Sequence, residues 1–140
     1  MRQILLFAAL AASLALLSGC ALSRAKADTA EDMTGKAAYH KISAEEAYEM
    51  MASQEVVVVD VRTREEYDGG HIENAVLVPN ESIDSEMPEA LPDKEATLLI
   101  YCRSGRRSKD AAQKLLALGY QSVYDFGGVI DWPYELVKEG

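Results

Sequence analysis

Thr97-Leu98-Leu99-Ile100-Tyr101-Cys102-Arg103-Ser104-Gly105-Arg106-Arg107-Ser108, followed by KDAAQKLLAL over Lys109 to Leu118, decides the fold. Thr97 to Tyr101 is apolar on both faces, which suits a strand buried inside a parallel sheet rather than one with a wet side. Ser108 to Leu118 carries Ala111, Ala112, Leu115, Leu116 and Leu118 at helical spacing, and Gly119 supplies the residue that ends such a helix. A buried strand, a short loop and a one-sided helix form half of a strand–helix–strand unit.

The same alternation runs through the rest of the chain. Tyr39 to Ile42 reads as a first strand, and Ser43-Ala44-Glu45-Glu46 is a capping box opening a helix that runs to about Ser53. Val56 to Asp60, four valines and an aspartate, is too branched for a comfortable helix and reads as a second strand. Thr63-Arg64-Glu65-Glu66 is a second capping box, its short helix closed by Gly69-Gly70. Ala75 to Val78 is a third strand stopped by Pro79, and residues 80 to 95, acidic and containing Pro88 and Pro92, suggest a short helix and a loop. Val123 to Phe126 is a fifth strand, with Gly127-Gly128 and a last helix carrying Trp132 after it. These patterns predict a single α/β domain: a five-stranded parallel sheet with helices on both faces. Ligands of such sheets bind beyond the carboxyl ends of the strands, where Cys102 falls, one residue after the fourth.

The 140 residues, 49% hydrophobic and 26% charged, suit one globular domain and exclude a disordered or collagen-like chain. With 14 Lys+Arg against 23 Asp+Glu, the chain lacks the basic face that nucleic acid needs, so nucleic acid is not an expected partner. Positive charge is bunched instead at Arg103, Arg106, Arg107 and Lys109, and that local reversal asks for a small anion.

Met1-Arg2-Gln3 and the 14-residue apolar and small run Ile4 to Leu17 have the layout of an export signal over residues 1–19. The run is too short for a permanent span, which needs about 20 apolar residues. Residues 20–38, polar and without an apolar period beyond the first two, read as a tether, and the folded domain is expected over 39–140. Leu17-Ser18-Gly19-Cys20 resembles the bacterial lipoprotein signal. That resemblance implies cleavage before Cys20, acylation of Cys20, and attachment through its lipid anchor to a bacterial membrane, facing the periplasm or the exterior. Cleavage nearby by the ordinary signal peptidase would instead release a soluble secreted protein. With Cys20 acylated, Cys102 is the only remaining thiol in a compartment that favours disulfides. Such a thiol is buried and inert, paired with another molecule, or kept for its reactivity.

The residues around Cys102 point to reactivity. A strand end, Cys102, a loop containing Gly105 and a helix start together build an anion cradle of inward-pointing amides. A thiol of ordinary pKa about 8.5 placed there is driven toward thiolate. Arginines at a helix start oppose the helix dipole, which argues that they serve a ligand rather than the helix. Two histidines, His40 and His71, and one available cysteine at wide spacing give no metal-site pattern, and no cofactor is called for.

Cys102-x-x-Gly105-x-Arg107-Ser108 resembles the active-site loop of rhodanese-like sulfurtransferases. Asp60-Val61-Arg62, Glu66-Tyr67, Gly70-His71-Ile72 with Ala75 and Pro79, and Gly127-Gly128 with Trp132 agree in order, over about residues 39 to 138. The resemblance implies a persulfide cycle: Cys102 takes sulfur from a donor such as thiosulfate and passes it to cyanide or a thiol. It makes Cys102 the nucleophile, with Arg103, Ser104, Gly105, Arg106 and Arg107 as the substrate-binding loop. Asp60, Arg62 and His71 become structural supports. Phosphatases of the C-x5-R type need Arg six positions after the cysteine, where this chain has Ser108. Readings of another kind are a non-turnover module that binds sulfur species or a partner protein, and a thiol–disulfide partner of exported proteins.

Overall fold

The computed structural model describes residues 37–138. Five strands, β1 (Ala38–Lys41), β2 (Val57–Asp60), β3 (Val76–Leu77), β4 (Thr97–Cys102) and β5 (Ser122–Gly128), form one parallel sheet in the order β1-β5-β4-β2-β3. The helices are α1 (Ala44–Ser53), α2 (Arg64–Asp68) and α3 (Arg106–Ala117). β4 is the middle strand, and its residues from Leu98 onward are buried, as the two-faced apolar pattern requires.

Each face of the sheet has its own core. On one, Ala111, Ala112 and Leu115 of α3 pack on Val59, Leu98, Ile100, Cys102 and Val123. On the other, Ala47 of α1 and Tyr67 of α2 pack on Val58, Leu99, Tyr101 and Phe126. Both capping boxes are formed: the Ser43 and Thr63 hydroxyls accept the amides of Glu46 and Glu66, whose carboxylates accept the Ser43 and Thr63 amides in return.

Strand ends shift by a residue or two, with β1 starting at Ala38, one residue before the expected domain boundary, and three further differences from the sequence reading bear on the site. β4 includes Cys102 instead of stopping before it. α3 begins at Arg106, two residues earlier than expected, because Gly105 takes the left-handed conformation (φ 96°) that turns the chain straight from loop into helix. No last helix carries Trp132: Gly127 and Gly128 belong to β5, and Val129–Asp131 makes a single 3-10 turn. Pro133 accounts for this, since it disfavours helical backbone at Trp132 and offers no amide to a continuing helix. Trp132 packs instead on Phe126, with ring centroids 5.5 Å apart. The expected signal peptide, Cys20 and nearly all of the tether lie outside the described residues.

Candidate active site

Cys102 ends the middle strand at the carboxyl edge of the sheet, pointing at the head of α3. Its residue is 1% exposed. The Gly105 amide donates to Sγ at 3.0 Å, a bond that closes the loop over the sulfur. Burial alone would push the thiol up; against it act the amide and hydroxyl of Ser108 and the amides of Gly105 and Ser104, which together bring the thiol below its ordinary value. The sequence thus builds a site that favours the thiolate mainly from backbone: three residues after a buried strand, the last a left-handed glycine, and the unpaired amides of a new helix.

The loop rests on β5. Ladder pairing between β4 and β5 slips after Ile100, so that Ile100 faces Asp125 while Tyr101 faces Gly127 and Cys102 faces Gly128. The extra residue, Phe126, is a bulge of the kind that re-aims strands beside functional sites. Gly128 is where the loop lies down: a Cβ there would collide with the Arg103 carbonyl oxygen and come within 2.6 Å of Ser104 Cα. The Arg103 carbonyl also accepts the Ile130 amide at 3.2 Å.

The arginines have different surroundings. Arg107 is bound to Glu66 of α2 by two parallel hydrogen bonds, Nη1 to Oε2 at 2.7 Å and Nη2 to Oε1 at 2.8 Å. Its electrostatic neighbours include Cys102 and Glu81. Bonding to Arg107, opposed by partial burial and aided by Thr63, lowers the Glu66 carboxyl to about 2. Glu66 therefore serves twice, as the capping-box residue of α2 and as the counter-charge that offsets an arginine at a helix start. Arg103 and Arg106 are exposed, and so is Ser104. Arg106, Arg107, Asn80, Glu81 and Asp110 line a hollow of about 450 Å³.

Asp60 and Arg62 form a buried pair beneath the site. Arg62 donates to Asp60 from its amide at 2.9 Å, from Nε at 3.0 Å and from Nη2 at 2.6 Å, and Nη2 also reaches the Gly70 carbonyl at 2.8 Å. The Tyr101 hydroxyl donates to Asp60 at 2.7 Å and accepts the Ile72 amide at 3.1 Å. Burial and the neighbouring Asp60 charge push that phenol far above its usual value, so it stays a donor. His71 is buried elsewhere in the same layer. Its ring stacks on Tyr67 at 3.6 Å, its Nδ1 lies 2.9 Å from the Tyr67 carbonyl, and its backbone pairs with Val137.

Sequence reasoning did not single out Glu66, Asp125 or Gly128 as site residues, nor Ser108 beyond its match to the motif. Nothing local links Glu66 to Arg107, 41 positions away. Asp125 did leave a signal, a lone charge inside a strand that is otherwise apolar. Ser108 donates to it at 2.7 Å, which ties the first turn of α3 to β5.

Comparison with known proteins agrees with this geometry. Residues 43–133 match the rhodanese-like domain family. A rhodanese from E. coli solved with anions is 33% identical and superposes with a TM-score of 0.55, covering 61% of this chain and all of that one. The human single-domain sulfurtransferase TSTD1 is 27% identical, with a TM-score of 0.60 over 66% of this chain and 93% of its own. The tRNA uridine(34) hydroxylase of Yersinia pestis is 31% identical over 106 residues, 72% of this chain but 30% of the hydroxylase, so the chain spans about a third of that relative. With the family matched over most of its length and the loop, bulge and buried pairs in place, this chain belongs to the rhodanese-like domain family.

Proposed function

We propose that the protein is a rhodanese-type sulfurtransferase carrying a sulfane sulfur on Cys102. The observation behind this reading is the gathering of the Ser104, Gly105 and Ser108 amides around one buried cysteine sulfur at the head of α3. The Cys102 thiolate attacks the outer sulfur of a donor such as thiosulfate. The donor S–S bond breaks, sulfite leaves with the electron pair, and Cys102 keeps the transferred sulfur as a persulfide whose terminal negative charge the loop amides hold. Cyanide or a thiolate, on a small molecule or a partner protein, then attacks the terminal sulfur and Cys102 leaves as thiolate. Arg103 and Arg106, exposed at the rim, draw in the anionic donor, while Arg107 is held in place by Glu66. The hydroxylase chemistry named for the Yersinia relative is no part of the proposal, since the shared stretch is under a third of that protein.

Intact-protein mass spectrometry of the reduced protein, before and after thiosulfate and then after cyanide, tests this reading. The expected result is the gain of one sulfur that cyanide removes as thiocyanate, absent in Cys102→Ser. No gain from thiosulfate overturns the thiosulfate cycle and favours a thiol that senses or docks without turnover. We further propose that Cys20 is acylated and holds the domain on a bacterial membrane, facing the periplasm or the exterior. Fatty-acid labelling lost in Cys20→Ala supports the anchor, and an unlabelled secreted product refutes it.

A further inference from the structure

Asp125 is 1% exposed, yet the sulfur cycle above gives it no task. Its Oδ1 accepts the Ser108 hydroxyl at 2.7 Å and the Gly127 amide at 2.9 Å, and its Oδ2 accepts the Tyr39 hydroxyl at 2.9 Å. Among the described residues its ion-pair partner is Lys41 of β1, whose Nζ lies 3.4 Å from Oδ1 and whose side chain is 53% exposed. The remaining charged groups nearby are Lys109 of α3, Glu45 of α1 and Asp131 beyond β5. All of these line, with Asp125 and Lys41, an open cleft of about 670 Å³ behind Ser104 and Gly105. On the other side of Ser108, the charged group facing Cys102 is Arg107 of α3.

Ser108 has one hydroxyl proton, and its shortest contact takes it to Asp125 at 2.7 Å, ahead of the Gly105 carbonyl at 3.1 Å and the Gly127 carbonyl at 3.4 Å, which leaves less of it for the Cys102 sulfur that the same residue faces. A carboxylate is the stronger acceptor, so the sulfur is offered less of that proton than a neutral neighbour would leave it. The carboxylate charge acts in the same direction, since a second negative charge near the helix head raises the cost of a thiolate there. Lys41 offsets that charge from the solvent side.

We propose that Asp125 is a positioning residue that restrains ionisation of Cys102 through Ser108, and that Lys41 relieves the restraint from the open cleft. A solute anion that draws Lys41 away from Asp125 thereby makes the nucleophile harder to ionise, without touching it. The proposal rests on Cys102 being the reacting thiol.

The test is the pH dependence of iodoacetamide alkylation of Cys102 in the full chain, read on the Cys102 peptide by mass spectrometry with no sulfur donor present. Asp125→Asn keeps an oxygen for Ser108 and Gly127 and removes the charge. The apparent pKa of Cys102 is expected to fall by roughly one unit in that variant. Lys41→Met is expected to raise it by roughly half a unit, an effect that shrinks as salt is added. An unshifted pKa in folded Asp125→Asn, even with a changed melting temperature, means a purely structural aspartate and overturns the proposal. Should Asp125→Asn not fold, Lys41→Met decides, and an unshifted pKa there overturns it. Alkylation reports the thiol whether or not it accepts sulfur, so failure of the sulfur-transfer reading and failure of this one show up separately.

Discussion

Two buried aspartates flank the strand that carries Cys102, Asp60 at the end of β2 and Asp125 in β5, and the chain treats them differently. Asp60 is enclosed: its partner Arg62 is itself buried, and Tyr101 and the Arg62 amide take up its remaining lone pairs. Asp125 is equally buried, but its cation is a half-exposed lysine at the mouth of a cleft. A buried guanidinium on a buried carboxylate is a fixed frame, because neither ion can return to water without unfolding. A buried carboxylate with a surface lysine is adjustable, because the lysine exchanges its partner for water at little cost. The β2 side thus holds the site still, and the β5 side can be adjusted from outside.

Removing one carboxylate from each side is the sharpest way to break this comparison. Asp60→Ala leaves Arg62 buried without a counter-charge and Tyr101 without its acceptor, and is expected to cost about 3–5 kcal/mol. Asp125→Ala frees Lys41 to water, leaves the Gly127 amide and the Tyr39 hydroxyl without their acceptor and leaves Ser108 its longer contact to the Gly105 carbonyl, so about 2 kcal/mol is expected. Urea unfolding of both variants checks the order. Equal losses would mean that Lys41 is as firmly committed as Arg62.

A second break falls on the β5 side alone. Gly128→Ala drives a methyl into the Arg103 carbonyl and the Ser104 Cα, and the loop must lift to admit it. The expected cost is about 1–3 kcal/mol of stability. A larger proportionate loss of sulfur loading on Cys102 should accompany it, since the Ser104 and Gly105 amides move off the sulfur. A variant destabilised but fully active would place the strain somewhere other than the loop.

Much of this was legible in the chain because it is local. Two capping boxes, a valine-rich strand, a buried strand running up to the cysteine and a one-sided helix mark two of the strands and all three helices through patterns within a few residues, and the alternation they set up places the other three strands. The misread parts depend on neighbours far along the chain. The bulge at Phe126 exists only in the pairing of β5 with β4, so Gly127-Gly128 looked like a strand end when it is the seat of the loop. The pairing of Arg107 with Glu66 was not legible because Glu66 was already spoken for as a capping residue. Asp125 could have been flagged, since a charge inside an apolar strand needs a partner, but nothing local names Ser108 as that partner.

The Glu66–Arg107 pair offers the smallest effect and a test by pH. The Glu66 carboxyl is lowered from its ordinary 4.5 to about 2 in the folded protein, chiefly by Arg107. A carboxylate whose folded value is depressed contributes stability above its unfolded value and loses it as pH falls through the folded one. The contribution is therefore complete above about pH 4.5 and drains away between there and about pH 2. Both side chains keep some contact with water, 28% for Glu66 and 21% for Arg107, so screening leaves the pair worth about 1 kcal/mol. Glu66→Gln should be less stable than the parent by that amount near neutral pH, and the gap should close toward pH 2 as the parent's own Glu66 takes up its proton. A gap that stays constant down to pH 2 would assign the loss to the altered hydrogen-bond geometry and packing of Gln rather than to the charge, since Gln can still make the capping box, and would leave Arg107 held by contacts other than the charge of Glu66.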